Sequence, residues 1–201
     1  QHPGITGTTR CVLVDWLIHL GYFILGMQSE TIHHGVYLLD RYLIEHEEEV
    51  NVNRLQCISV AALLVAGKLV ETATRLSTNA LSYACSRTFS AQNITDQELD
   101  LLKTLKFELT VASVSTFAQY FKQALEIDED VDYFIDAIML ALEAKGRVWT
   151  EEMRMLSGYA QQALAPCVEV FLQTLKNIRE TIPCTFPGLQ EKYPKAELNF
   201  L

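Results

Sequence analysis

The side chains best suited to nucleophilic or metal chemistry are Cys11, Cys57, Cys85, Cys167 and Cys184, with His2, His19, His33, His34 and His46. A thiolate beside an imidazole attacks carbonyls, so Cys57 with His33 or His34 is the pair to weigh first. Cys57 stands inside an apolar helical pattern, however, where a thiol stays protonated and inert. Zinc needs Cys and His at short fixed spacings, and neither a CxxC pair nor a matching histidine pair occurs. Without disulfide-like spacing, the cysteines read as reduced and intracellular. No glycine-rich phosphate loop, Gly-x-Ser-x-Gly or His-Glu-x-x-His is present either. The acidic runs Glu47–Glu49 and Glu126–Asp132 read as solvated loop charge. The sequence therefore argues against an enzyme and implies no cofactor or metal.

Two single charges have ordinary local readings. Lys68 closes an apolar stretch and reads as a helix-end cation in solvent. Glu98 ends the run TDQE, where Thr95 and Glu98 form a capping-box signature that opens a helix.

The elements that hold these residues read as helical almost throughout, because apolar residues recur at helical spacing and turn signals are few. Residues 10–27 set Leu13, Trp16, Leu17, Leu20 and Ile24 on one face, and residues 29–46 set Val36, Leu39, Tyr42 and Leu43 on another. Residues 53–70 use Leu55, Ile58, Ala62, Val65 and Leu69, and the centre, VAALLVAG, suits a helix buried on several sides. A shorter helix fits 77–86, and the next runs from TDQE to about Leu105. Further helices fit 113–126, 131–145, 150–160 and 164–181; beyond them Pro183, Pro187 and Pro194 predict an irregular tail.

With 201 residues, 49% hydrophobic and 20% charged, the chain has an ordinary soluble globular balance and room for one or two cores. No apolar run reaches the roughly 18 residues that span a bilayer. The net charge of −9 opposes nucleic-acid binding. The start lacks both an initiator Met and a hydrophobic leader, so the chain reads as a fragment with regulatory sequence expected upstream.

Beyond this all-α reading, four blocks carry a specific resemblance. RCVLVDWLIHL (10–20) resembles the opening of the cyclin box, with its Arg and LVDWL core. ETIHHGVYLLDRYL (30–43) resembles the second helix, with its aliphatic-Asp-Arg-aromatic-Leu ending. LQCISVAALLVAGKLVE (55–71) and LSYACSRTFSAQNITDQELDLLKTLKFEL (81–109) are similar to helix three and to helices four and five. HPGITGTTR (2–10) is similar to the lead-in of A- and B-type (G2/mitotic) cyclins, and WTEEMRMLSGYAQQALAPCVEV (149–170) resembles later helices of a second cyclin fold. The resemblance implies a divergent A/B-type cyclin with a two-lobed all-α fold. Residues 1–110 would be the five-helix cyclin box, 111–182 a shortened second helical lobe and 183–201 the tail. The stretch between Phe117 and Trp149 is shorter than the A/B pattern by roughly one helix plus a loop.

The resemblance also implies roles. Arg10 and Asp40 would form a structural ion pair between two helices. Lys68 and Glu98 would bond main-chain groups of the regulatory helix of a cyclin-dependent protein kinase, with Val65, Leu69, Phe107 and Leu109 as the apolar floor. Leu69 replaces the family's usual aromatic, and Glu71 stands alone where two glutamates are usual. Val12, Leu13, Trp16, Leu55 and Gln56 would dock short substrate or inhibitor peptides. Thr9, His19 and Val52 depart there from the usual Met, acid and basic residue. The implied protein is a non-catalytic kinase subunit of nucleus and cytoplasm, without nucleic acid or membrane as partner. Two other readings stay open: a divergent cyclin-fold scaffold or adaptor that binds without activating, and a transcription factor of the same fold, which the acidic charge opposes.

Overall fold

The computed structural model describes residues 5–71, 76–110, 116 and 187–192. The chain divides into two units, 1–116 and 117–201. In the first, five α-helices follow one another, and no strand occurs among the described residues: α1 Gly7–Ile18, α2 Ser29–Glu45, α3 Val52–Val70, α4 Thr78–Ala84 and α5 Ala91–Thr104. In the second, one short helix, α6 Pro187–Lys192, is described.

The starts of α1, α3 and α4 have a local chemical cause, since the first turn of a helix leaves N–H groups without intrahelical partners. Thr6 accepts from Thr9 N, Asn51 from Arg54 N and Ser77 from Ala80 N, capping α1, α3 and α4. The α2 cap residue Gln28 offers no side-chain bond. Glu71, just past the end of α3, supplies one instead: its Oε1 accepts from Gln28 N at 2.8 Å and from Thr31 Oγ1 at 2.7 Å.

Helix α3 is the axis of the unit and packs most extensively against α2 and α5. Every residue from Cys57 to Gly67 is buried. Removing a leucine or isoleucine side chain from water contributes about 1.5–3 kcal/mol, and the fully buried Ile58, Leu63 and Leu64 each add about that much to the core. By length and mean hydropathy α3 would pass as a membrane span, although Arg54 and Lys68 interrupt its apolar run. Its burial, 67% over that window, marks a core helix. Close approach of α2 and α3 needs Gly35, where a Cβ would stand 3.3 Å from the Leu63 Cα.

Four expectations need correction. The first helix does not run as one α-helix over 10–27. After Ile18 it widens into a π-helical turn, His19–Ile24, with Leu25 N bonded to Leu20 O (3.0 Å) and Met27 N to Gly21 O (2.8 Å). The wider turn rotates Ile24 off the buried face, leaving it 51% exposed while Met27 is buried. The fifth helix does not open at TDQE. Ser90 is its cap, Asn93 closes the capping box, and Thr95 lies a turn inside, its hydroxyl bonded to Ala91 O at 2.9 Å. Leu69, read as part of the buried stripe of α3, is 49% exposed. In the tail, Pro187 starts a helix rather than preventing one, because a first-turn proline loses no intrahelical bond. The helices read at 113–126, 131–145, 150–160 and 164–181, and with them the shortened second lobe, lie outside the described residues.

Candidate functional site

The C-terminal turn of α3 lies against the middle of α5, and there Lys68 and Glu98 meet. Lys68 Nζ donates to Glu98 Oε1 at 2.5 Å. The lysine side chain is 51% exposed and the glutamate 13%. A cation at the C-terminal turn of a helix is favoured by the helix dipole, which leaves the ammonium hydrogens not used by Glu98 available to a carbonyl. Glu98 does not cap a helix. Its carboxylate is spent on Lys68 from inside α5, so its capping reading falls with that of Thr95.

Exposed apolar residues flank the pair. Leu69 follows Lys68, and Leu99, 48% exposed, follows Glu98. Leu99 escaped the sequence reading because a helix begun at Thr95 hides its position. Started at Ala91, α5 buries Ile94, Gln97 and Leu101 on one face and turns Leu99 outward. Val65 is buried at 3% exposure and supports this turn of α3 from beneath.

Phe107 and Leu109 reach the surface region by another route. Helix α5 ends with Lys106 and Phe107 both left-handed (φ 51° and 60°), and Phe107 N bonds back to Leu102 O at 3.0 Å. Side-chain-bearing residues pay for this conformation, at about 1–2 kcal/mol each. The result is a Phe107 ring 65% exposed. The segment that follows is held to α2. Arg41, which also chelates Glu45, donates to the Glu108 carbonyl at 2.6 Å, and His34 hydrogen-bonds the Leu109 backbone. Burial lowers the His34 pKa, partly opposed by that bond and by Glu30, and its Nε2 is buried without a partner among the described residues.

Arg10 and Asp40 meet as a two-pronged pair, Nε to Oδ1 at 2.8 Å and Nη2 to Oδ2 at 2.7 Å. This joins α1 to α2. On the α1–α3 side, Val12 is 55% exposed, Trp16 and Gln56 are half-buried, and Leu13 and Leu55 are buried. Only the first three of these five therefore offer much surface.

One polar cluster was not legible in the sequence. Tyr42 OH (2.5 Å), Gln97 Nε2 (3.0 Å) and Arg54 Nη2 (3.2 Å) all donate to Asp100 Oδ2. His46 stacks on Tyr42 with ring centres 4.7 Å apart. Burial pushes the Asp100 carboxyl up, but the bonds from Tyr42 and Gln97 and the charges of Arg54 and His46 outweigh it and hold the carboxyl below its usual value. Burial first, then Asp100, raises the Tyr42 phenol. The network ties the end of α2 to the start of α3 and to α5. Its members come from three helices, so no short motif announces it.

Among the described residues Cys11, Cys57 and Cys85 carry thiols rather than disulfides. Burial raises all three, and the neighbouring Cys57 helps push Cys85 to about 11, so none is poised as a nucleophile. Among the described residues no group of His, Cys, Asp and Glu could hold a metal ion.

Comparison with known proteins gives this geometry a context. The family model described as "Cyclin, N-terminal domain" matches residues 1–110. Cyclin-A2 of Homo sapiens is 29% identical over 227 residues, covering 98% of this chain and 50% of its own length. G2/mitotic-specific cyclin-B1 of Oryzias latipes is 27% identical over 198 residues, covering 87% of this chain and 47% of its own. Cyclin-A3-2 of Arabidopsis thaliana is 34% identical over 130 residues, 64% of this chain and 34% of its own. The chain thus spans about half the length, or less, of these curated relatives. Among solved structures, a viral cyclin from herpesvirus saimiri superposes with a TM-score of 0.59 at 19% identity, covering 96% of this chain and 88% of that one. At that identity the superposition shows the fold alone. A-type, B-type and viral cyclins all match, so the relationship is to cyclins broadly and no subtype stands out.

Proposed function

The chain belongs to the cyclin family through its N-terminal domain, and from that premise we propose that it is a regulatory subunit that binds and activates a cyclin-dependent protein kinase. In this reading it is a non-catalytic regulatory protein. The observation that carries the proposal is the Lys68–Glu98 pair at the meeting of α3 and α5, flanked by the exposed Leu69 and Leu99. A kinase is controlled by the pose of one regulatory helix, which places the glutamate of its Lys–Glu ion pair. A half-exposed ammonium and a nearby carboxylate, each next in sequence to an exposed leucine, suit the main-chain groups beside such a helix. Holding it in its active pose shifts the kinase population toward the active state, and the cyclin contributes no atom to phosphoryl transfer. In this reading Phe107 and Leu109 extend the apolar contact, and Val12, Trp16 and Gln56 form the exposed part of a peptide-docking patch over Leu13 and Leu55. The A/B-type, mitotic or meiotic assignment, a second helical lobe, and residence in nucleus and cytoplasm belong to the same proposal.

A second reading, a scaffold that binds a kinase without activating it, is favoured by one fact: Lys68 and Glu98 are already bonded to each other, so a partner must share or open the pair. The two readings separate in one assay. The full chain is mixed with a purified cyclin-dependent kinase, and phosphotransfer to a histone-type substrate is measured together with complex formation. Stimulation by the wild type, lost in the Lys68→Ala/Glu98→Ala double variant, supports activation. Binding without stimulation selects the scaffold. A folded chain that neither binds nor stimulates any such kinase removes both.

A further inference from the structure

Away from the Lys68–Glu98 pair, a cleft of about 560 Å³ opens between the first turns of α3 and the side of α5. It lies on the α5 side of α3, whereas Gln56 and Trp16 belong to the α1–α3 side. Its walls include the Phe89 ring, Cys57 and the stems of Asn51, Asn53 and Arg54, with Asp96, Gln97 and Asp100 along α5.

The charges in this cleft do not balance internally. Arg54 is shared between Asp100 (3.2 Å) and Glu48 (3.6 Å), so its guanidinium is already committed to two carboxylates. Asp96, one turn before Asp100 on the same face of α5, accepts the Gln92 amide at 2.8 Å and no other hydrogen bond among the described residues. Within the cleft two carboxylates, Asp96 and Asp100, thus stand against one guanidinium, which also reaches Glu48 outside it. The acceptors are also left open. All three donors to Asp100 bond Oδ2, leaving Oδ1 without a hydrogen bond among the described residues, and those bonds favour the ionised carboxylate. Gln97, nine-tenths buried, spends its amide nitrogen on Asp100, and its carbonyl oxygen accepts no hydrogen bond among the described residues. A fixed carboxylate, a second one a turn away and an open amide carbonyl, set over apolar walls, match a cation on an aliphatic stem.

We propose that this cleft is a docking site for a basic side chain, arginine or lysine, carried on a short extended segment of a partner protein. The volume exceeds that of one side chain and leaves room for neighbouring residues of the segment. The Asn51 and Asn53 amides at the rim suit its main chain. The site is independent of kinase activation and stands whether or not that reading holds.

The test is an amide NMR titration of the full chain with acetyl-Ala-Arg-Ala-amide, its lysine counterpart and a norleucine counterpart of similar length. The expected result is saturable shifts of α3 first-turn and α5 amides with the two basic peptides and not with norleucine. Asp96→Asn removes one exposed charge while leaving the Asp100 network in place, and should weaken binding about two- to fivefold with an otherwise unchanged spectrum. Raising the salt to about 0.5 M should weaken it further. Equal binding of the norleucine peptide, indifference to Asp96→Asn, or the same shifts from calcium chloride alone would each overturn the proposal, the last in favour of a metal-ion site.

Discussion

Replacing Asp40 by alanine asks whether the α1–α2 pair is a structural pin or a surface ornament. Arg10 is 10% exposed at its side chain and Asp40 29%, and two charge-assisted bonds of 2.8 and 2.7 Å join them. Removing one partner of a buried pair costs about 3–5 kcal/mol, since the other charge stays shielded from water. Asp40 is partly wet, so about 2–3 kcal/mol is the better expectation here. For a chain of this size each kcal/mol moves Tm by about 2–4 °C, so Asp40→Ala should melt about 5–10 °C below wild type. Thermal unfolding by circular dichroism reads this directly. Lys68→Ala serves as the control. Its ammonium is 51% exposed, and such pairs contribute about 0–1 kcal/mol, so its Tm should move by less than about 3 °C. If Asp40→Ala melts within about 2 °C of wild type, the pair does not pin α1 to α2. If it also remains folded while losing a kinase partner, Asp40 is a contact residue instead.

Other consequences can be checked in the same preparations. Ser90→Ala should cost about 1 kcal/mol of stability in urea, because it removes the α5 cap, whereas Thr95→Ala should stay within about 0.5 kcal/mol. The reverse order would restore the capping box at Thr95. Tyr42→Phe removes one of three donors to an ionised Asp100 and should cost about 1–2 kcal/mol at neutral pH. An unchanged urea midpoint would show that Arg54 and Gln97 suffice. Burial lowers the His34 pKa below its ordinary value of 6.5, so the folded state binds its proton less readily than the unfolded chain. Its contribution is present above about pH 6.5 and is lost as pH falls through the folded pKa, so stability should decline on acidification from that point. His34→Gln should flatten the decline, and an identical pH profile in that variant would assign the loss elsewhere.

Much of the box was legible in the linear sequence for a physical reason. Helical periodicity is a local property, so the spans of α2 and α3 and the all-round burial around VAALLVAG follow from residue spacing alone. The ordered blocks carrying Arg10 and Asp40 likewise point to the cyclin box, and that ion pair is present. What the sequence could not decide involves competition between local options or contact between distant segments. Ser90 with Asn93 and Thr95 with Glu98 both spell a cap. The choice fell to Ser90 once Ile94, Gln97 and Leu101 turned inward together and Glu98 met Lys68 across α3. The π-helical turn after Ile18 depends on how Leu20, Gly21 and Met27 are accommodated beneath α2, where a Cβ at Gly21 would press on Ile32. Glu71, read only as a thinned acidic pair, caps a helix that begins 42 residues earlier in the sequence. The Asp100 cluster draws Tyr42, Arg54 and Gln97 from three helices, and the cleft beside it exists only because α3 and α5 cross there. Helix content and family are written in local spacing. Which polar groups face one another, and which carboxylates are left open to a partner, arise only when side chains far apart along the chain are packed together.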